Sequence, residues 1–139
     1  MLSFLFGCSS APETLGLGSD GRLAPCPDSP NCAASDTDDE TKRVEPFRYA
    51  DQAAAWGALQ KAVADLPRTT IVTADDTYLH AESRSRIFRF VDDLEFQLRP
   101  EEGVIAVRSA ARTGYSDFGV NAERLEALRQ RLKEEGVLP

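Results

Sequence analysis

The chain has 139 residues, 42% hydrophobic and 28% charged, with 16 Lys and Arg against 23 Asp and Glu for a formal net charge of −7. At roughly 100 to 150 residues per domain this is one domain with a real core and not two, and the composition excludes collagenous and wholly disordered chains. A sequence pI near 4.7 argues against a nucleic-acid partner, which needs clustered Lys and Arg, and no stretch reaches the ~20 apolar residues of a membrane-spanning helix.

The charge is unevenly spread. Residues 1–45 hold eight acids against three bases, whereas the remaining 94 residues carry 15 acids and 13 bases and are nearly neutral. The first third also holds all three cysteines and few branched apolar residues, so it reads as an arm that cannot fold by itself. Three segments follow: a weak export or lipobox-like stretch and flexible tether over 1–22, a Cys-Pro-rich loop and acidic linker over 23–45, and a single domain over 46–139.

Met1-Leu-Ser-Phe-Leu-Phe-Gly-Cys8 ends in Leu5-Phe6-Gly7-Cys8 and is followed by a polar stretch, a pattern similar to a bacterial lipobox. No Lys or Arg precedes the apolar run, and the run is shorter than the ~7 to 15 residues of a signal core. Two readings stand. Either Cys8 is acylated and anchors the chain on the periplasmic side of the cell envelope, or the N-terminus is cytoplasmic and the resemblance accidental. Membrane contact is expected only through that anchor.

Cys26-Pro-Asp-Ser-Pro-Asn-Cys32 is short and turn-rich enough to bring two sulfurs together, and a Cys26–Cys32 disulfide is the preferred reading, in agreement with export. Zinc is disfavoured because the chain has one histidine, His80, and no second cysteine pair. A redox pair is disfavoured because the CxxC spacing is absent.

From Pro46 the pattern becomes regular. Asp51 caps a predicted helix in which Ala55, Trp56, Leu59, Ala62, Val63 and Leu66 share a face, and Pro67 stops it. Strands are predicted at Thr69–Thr73, Tyr78–Glu82, Ile87–Leu98 and Val104–Ser109, with a turn over Pro100–Gly103. A last helix starts near Asn121, with Leu125, Leu128 and Leu132 on one stripe. The order gives a compact two-layer α+β domain: a helix, a four-stranded mainly antiparallel sheet and a second helix, preceded by the extended arm.

Alternation along the third strand puts Phe88, Phe90, Asp92, Leu94, Phe96 and Leu98 on one face and Asp93 and Glu95 on the other. Asp92 in an apolar register must be protonated, paired or bonded to backbone N–H groups, unless a bulge at Asp92-Asp93 returns it to solvent. Arg108 ends the fourth strand and supplies a cation for this group. After it, the run through Ser109, Arg112, Gly114, Asp117, Gly119 and Asn121 sets guanidinium groups, glycines and small polar side chains against a helix start, a place suited to an anion. The same residues also read as structure: Arg108 and Arg112 pairing with Asp92, Asp93 or Glu95, and Asp117 or Asn121 capping the helix. His80 shares a strand face with Tyr78 and Glu82, which points to a His80–Glu82 pair at the surface.

The stretches LAPCPDSPNC (23–32), LPRTTIV (66–72), YLHAESRSRIFRFVDDLEF (78–96) and VRSAARTGYSDFGVNAERLEALR (107–129) resemble the family catalogued as domain of unknown function 1499. The resemblance covers most of the chain. It implies an uncharacterised bacterial or plastid protein, often behind an export or lipoprotein signal, with the CPDSPNC loop, Asp92, Asp93 and Glu95, and Arg108, Ser109, Arg112, Gly114, Asp117, Gly119 and Asn121 as shared motifs. It implies no activity and no cofactor.

No nucleophile elbow and no phosphate loop of the Walker or dinucleotide type is present. Two functions remain: a non-enzymatic envelope module whose Arg/Asp-rich loop takes an anionic ligand, a lipid head group or a protein partner, and a small hydrolase or isomerase using Asp92 or Asp93 with Arg108 and Arg112. The balance leans away from an enzyme. The candidate site residues are Asp92, Asp93, Glu95, Arg108, Ser109, Arg112, Asp117 and Asn121, with no metal assigned.

Overall fold

The computed structural model describes residues 11–139, so the expectation for Cys8 lies outside the described residues. Asp51 accepts the Ala54 N–H at 3.2 Å and starts α1 (Gln52–Ala64), which buries Ala55, Trp56, Leu59, Ala62 and Val63. The Trp56 indole N–H reaches the Asp75 carbonyl at 3.2 Å, so its polar tip is satisfied while its body packs. α2 (Val120–Glu134) buries Leu125, Leu128 and Leu132 beside α1.

Both helices cover one face of an antiparallel sheet built from β3 (Thr69–Ala74), β4 (Tyr78–Arg84), β5 (Val91–Arg99) and β6 (Val104–Ala111), and the α+β class holds. Leu79, Ala81, Leu94, Phe96, Leu98, Ile105 and Val107 face the helices. Each large apolar side chain withdrawn there contributes about 1.5–3 kcal/mol.

Among the described residues the strand count is six, two more than expected, and the extra strands come from before α1. β1 (Cys32–Ala34) pairs antiparallel with β6, matching Cys32 with Ala110 and Ala34 with Arg108, and β2 (Phe47–Arg48) pairs with the opposite end of β6. Both are too short to show period-two alternation. The sheet order is β1-β6-β5-β4-β3.

The second face of the sheet is covered too, by residues 12–27. Gly18 N–H to the Arg22 carbonyl at 2.8 Å closes a turn, and Leu23 is buried. Beneath this arm the sheet is polar: Glu95 accepts the Gly16 N–H at 2.7 Å, the Gln97 amide donates to the Gly21 carbonyl at 2.8 Å, and Arg108 reaches the Pro25 carbonyl at 3.4 Å. The arm's apolar content is low because its task is to satisfy polar side chains through its backbone. Arg99 adds a two-point ion pair with Asp36.

β5 begins at Val91 and not at Ile87. Ile87, Phe88 and Phe90 are exposed in the β4–β5 connection, which Ser85 closes: its N–H donates to the Phe90 carbonyl at 2.9 Å, and its Oγ accepts the Phe90 N–H at 2.8 Å. The pairing through Asp92 and Asp93 is continuous with no bulge, so Asp92 keeps the helix-side register of Leu94, Phe96 and Leu98. The disulfide loop is closed by a Cys26–Cys32 bond. No helix among the described residues is long and apolar enough to cross a membrane.

Candidate functional site

Strand alternation divides the candidate residues between the two faces of the sheet. Asp93, Glu95 and Arg108 lie on the arm side together with Tyr78, His80 and Glu82 from β4, and Arg112 joins them from just past β6. Asp93 is buried and held side-on by Arg112, with Nε 2.7 Å from Oδ2 and Nη2 2.8 Å from Oδ1. Nη2 also reaches Glu82 Oε2 at 2.6 Å. His80 is buried, and its Nε2 lies 2.7 Å from Asp93 Oδ1. The surface His80–Glu82 pair is therefore replaced by a buried His80–Asp93 pair, because the neighbouring strand brings Asp93 within reach and the arm closes over both.

Glu95 is fully buried. It accepts from the Tyr78 hydroxyl at 2.5 Å and from the Gly16 N–H, and Arg108 Nη1 stands at 3.5 Å. Arg108 is thus held by two long contacts, and its buried Nε has no hydrogen-bond partner among the described residues.

Asp92, Ser109, Asp117 and Asn121 gather on the helix side around Arg124. Arg124 Nη2 reaches Asp92 Oδ2 at 3.0 Å, while Nη1 donates to Ser109 Oγ at 3.0 Å and Asn121 Oδ1 at 2.7 Å. Asn121 returns its amide to Asp117 Oδ2 at 2.7 Å and to the Asn31 carbonyl at 3.3 Å. Asp117 accepts the Gly119 and Asn121 N–H groups and so satisfies the start of α2. Asn31, inside the disulfide loop, donates to the Gly114 carbonyl at 2.7 Å and ties the Cys-Pro loop to the loop after β6.

A family model described as "Protein of unknown function (DUF1499)" matches residues 22–132. The chain belongs to the DUF1499 family. No curated protein and no solved structure matches the chain.

The matched DUF1499 region takes in every candidate residue on both faces, while Gly16, which donates to Glu95, precedes it. Among the cavities that adjoin the site of this DUF1499 chain, two have the adjacent carboxylates Asp93 and Asp92 in their walls. One of about 420 Å³ lies between arm and sheet, with Thr14, Pro25, Asp93, Arg108, Ala110 and Arg112 in its wall. The other, about 330 Å³, opens on the helix side at the same end of the sheet and is lined by Arg68, Arg84, Arg86, Arg124, Ser85 and Ser116, with Asp92 and Asp117 also in its wall.

The carboxylates differ in their titration. Burial works against the charge of Asp93, but the bonds from Arg112 and His80 outweigh it and hold the carboxyl below its ordinary range. Burial pushes Asp92 up, and Arg124 offsets this only in part. Asp117 is lowered, since the bonds from the Asn121 side chain and the Gly119 and Asn121 N–H groups exceed the cost of its burial. The Tyr78 hydroxyl is raised by burial and by its bond to Glu95. His80, Glu82 and Asp93 bring their donor atoms within 4.8 Å of one another, a spacing that suits a metal, yet Arg112 already bonds both carboxylates as the resident cation.

Arg124, Tyr78 and the His80–Asp93 pairing were not legible before the register was known. Arg124 carried one usable signal: it follows Asn121 by three positions on a helix, so the two side chains share a face.

Proposed function

We propose that the protein is a non-enzymatic binding module of the cell envelope whose arm-side cavity takes a small anionic ligand, a carboxylate or a phosphate. The observation that carries this is Arg108: a buried guanidinium in the wall of a cavity of about 420 Å³, with both contacts at 3.4 Å or longer and Nε unpartnered among the described residues. Donor capacity left over on a buried charge calls for an acceptor. An entering anion displaces the Pro25 carbonyl, the weakest neighbour, and takes Nε and Nη2 together. Arg112 in the same wall adds charge while remaining tied to Asp93 and Glu82.

The hydrolase or isomerase reading has less support. Asp92 and Asp93 are adjacent and so project to opposite faces, toward different cavities, and each is engaged by a guanidinium. They cannot act together on one substrate. The envelope location is supported by the Cys26–Cys32 bond, since disulfides persist in oxidising compartments, and by the lipobox-like stretch ending at Cys8.

The test is calorimetric titration of the full chain with inorganic phosphate, acetate and citrate, beside Ala110→Leu, which fills the cavity without changing charge, and Arg108→Lys. Saturable binding of an anion by the wild type, abolished in Ala110→Leu and weakened in Arg108→Lys, supports the reading. Binding of none of the three, or binding indifferent to Ala110→Leu, sinks it.

A further inference from the structure

Eight large apolar side chains are exposed among the described residues, and six of them, Ile87, Phe88, Phe90, Tyr115, Phe118 and Val120, belong to two short segments, 87–90 and 115–120. The segments are neighbours, since Phe90 and Arg86 from one connection and Ser116 and Val120 from the other line the same cavity of about 330 Å³. Single exposed apolar residues are ordinary, but six in one place on a monomer mark a contact surface. Phe118 is 92% exposed and Phe88 73%. Phe88 and Phe90 stack on each other with ring centroids 5.6 Å apart, so they present one apolar knob and find no place in the core.

The charge around this knob is positive on a chain whose net charge is −7. Positions 84–90 contain Arg84, Arg86 and Arg89 and no acid, and Arg86 and Arg89 have no ion-pair partner among the described residues. The cavity wall beneath holds Arg68, Arg84, Arg86 and Arg124 against Asp92 and Asp117, with Arg124 paired to Asp92 and Arg84 to Glu82, so the excess positive charge sits on Arg86 and Arg89. Exposed aromatic rings beside two arginines with no ion-pair partner among the described residues, Arg86 and Arg89, match the boundary between acyl chains and anionic head groups, where rings are buried and guanidinium groups meet phosphates. An acidic bulk charge would repel the rest of the protein from such a surface and orient this end toward it.

The course of the chain agrees. Pro12 and Thr14 share a cavity wall with Ala111 and Arg112, so the arm begins at the end of β6 from which the 112–119 loop departs. Cys8 precedes Pro12 by four residues, a reach of roughly 14 Å even when fully extended. An acyl anchor at Cys8 would therefore bring the two loops to the bilayer that holds it.

We infer that segments 87–90 and 115–120 form an interfacial docking surface for an anionic lipid bilayer, with Phe88, Phe90, Tyr115 and Phe118 entering the head-group boundary and Arg86 and Arg89 on the phosphates. The surface is separate from the Arg108 cavity and stands or falls without it.

The experiment is co-sedimentation of the full, unacylated chain with vesicles of phosphatidylcholine alone and of phosphatidylcholine mixed with phosphatidylglycerol. The expected result is several-fold more bound protein on the mixed vesicles, reduced by added salt. Phe88→Ser with Phe118→Ser, and separately Arg86→Glu with Arg89→Glu, should each return binding to the phosphatidylcholine level. Both pairs are exposed, so thermal melting should not change; if the Phe pair does lower it, the Arg pair carries the test. Equal binding to both vesicle types, or full binding by the charge-reversed pair, overturns the inference. A wild-type dimer in light scattering that becomes monomeric in the Phe variant also overturns it, by assigning the surface to a second copy of the chain.

Discussion

Arg112 grips Asp93 side-on, with Nε at 2.7 Å and Nη2 at 2.8 Å from the two carboxylate oxygens, while His80 contacts one of the same oxygens at 2.7 Å. Three elements meet in that contact: β4 supplies His80, β5 supplies Asp93, and the residue following β6 supplies Arg112. Its side chains are almost fully buried, so removing one partner strands the others. Arg112→Ala should destabilise the fold by about 3–5 kcal/mol, because it leaves the buried Asp93 without its guanidinium, while Glu82 keeps Arg84 at 3.2 Å. Arg124→Ala should cost less, since Asp92 is less deeply buried and its carboxyl is already raised toward the neutral form. Urea denaturation of the two variants checks the order; an equal or reversed ranking contradicts the geometry.

The two adjacent aspartates should show opposite pH trends. Asp93 titrates below its ordinary value of 3.8 in the folded chain, so its contribution is complete above that value and is lost as pH falls through the depressed one. The stability gap between wild type and Asp93→Asn should therefore shrink on acidification. Asp92 titrates above 3.8, so its charged form is disfavoured by folding, and wild type should gain relative to Asp92→Asn as pH falls through the raised value. Denaturation midpoints measured from neutral pH down to about pH 3 read both slopes, and trends of the same sign would refute the assignment.

Tyr78→Phe removes the 2.5 Å donor from a fully buried Glu95. The expected loss is about 1–3 kcal/mol, the cost of leaving part of a buried acceptor unmet. Amide exchange should quicken at Gly16, whose N–H shares that carboxylate, before it quickens in α1. Exchange that rises uniformly would mean that Glu95 does not couple the arm to the sheet.

Reducing Cys26–Cys32 opens a loop whose closure is worth about 2 kcal/mol for so few residues. Cys32 also begins β1, and Asn31 beside it donates to Gly114, so the effect should reach the loop after β6. Melting with and without reductant measures the first, and amide exchange at 112–119 the second. An unchanged melting temperature on verified reduction would show the staple to be dispensable.

Much of the fold was legible because its elements are locally encoded. Asp51 and Pro67 bracket α1, the leucine stripe marks α2, and period-two alternation places Leu94, Phe96 and Leu98 inward with Asp92 beside them. β1 and β2 were not legible, since three and two residues carry no period, and Phe88 and Phe90 misled because aromatic residues at strand spacing mark an exposed knob as readily as a core.

The sequence by itself determined which residues are chemically available: a family motif rich in aspartate and arginine, a cysteine pair six positions apart, and an acidic arm. Only the tertiary structure decided who faces whom. Consecutive strand residues point to opposite sides, so Asp92 went to Arg124 on the helix side, and Asp93 went to Arg112 and His80 under the arm. Those partners lie 13 to 32 positions away along the chain. Such contacts depend on strand register and on the arm that shuts out water, and neither is written in any local stretch of residues.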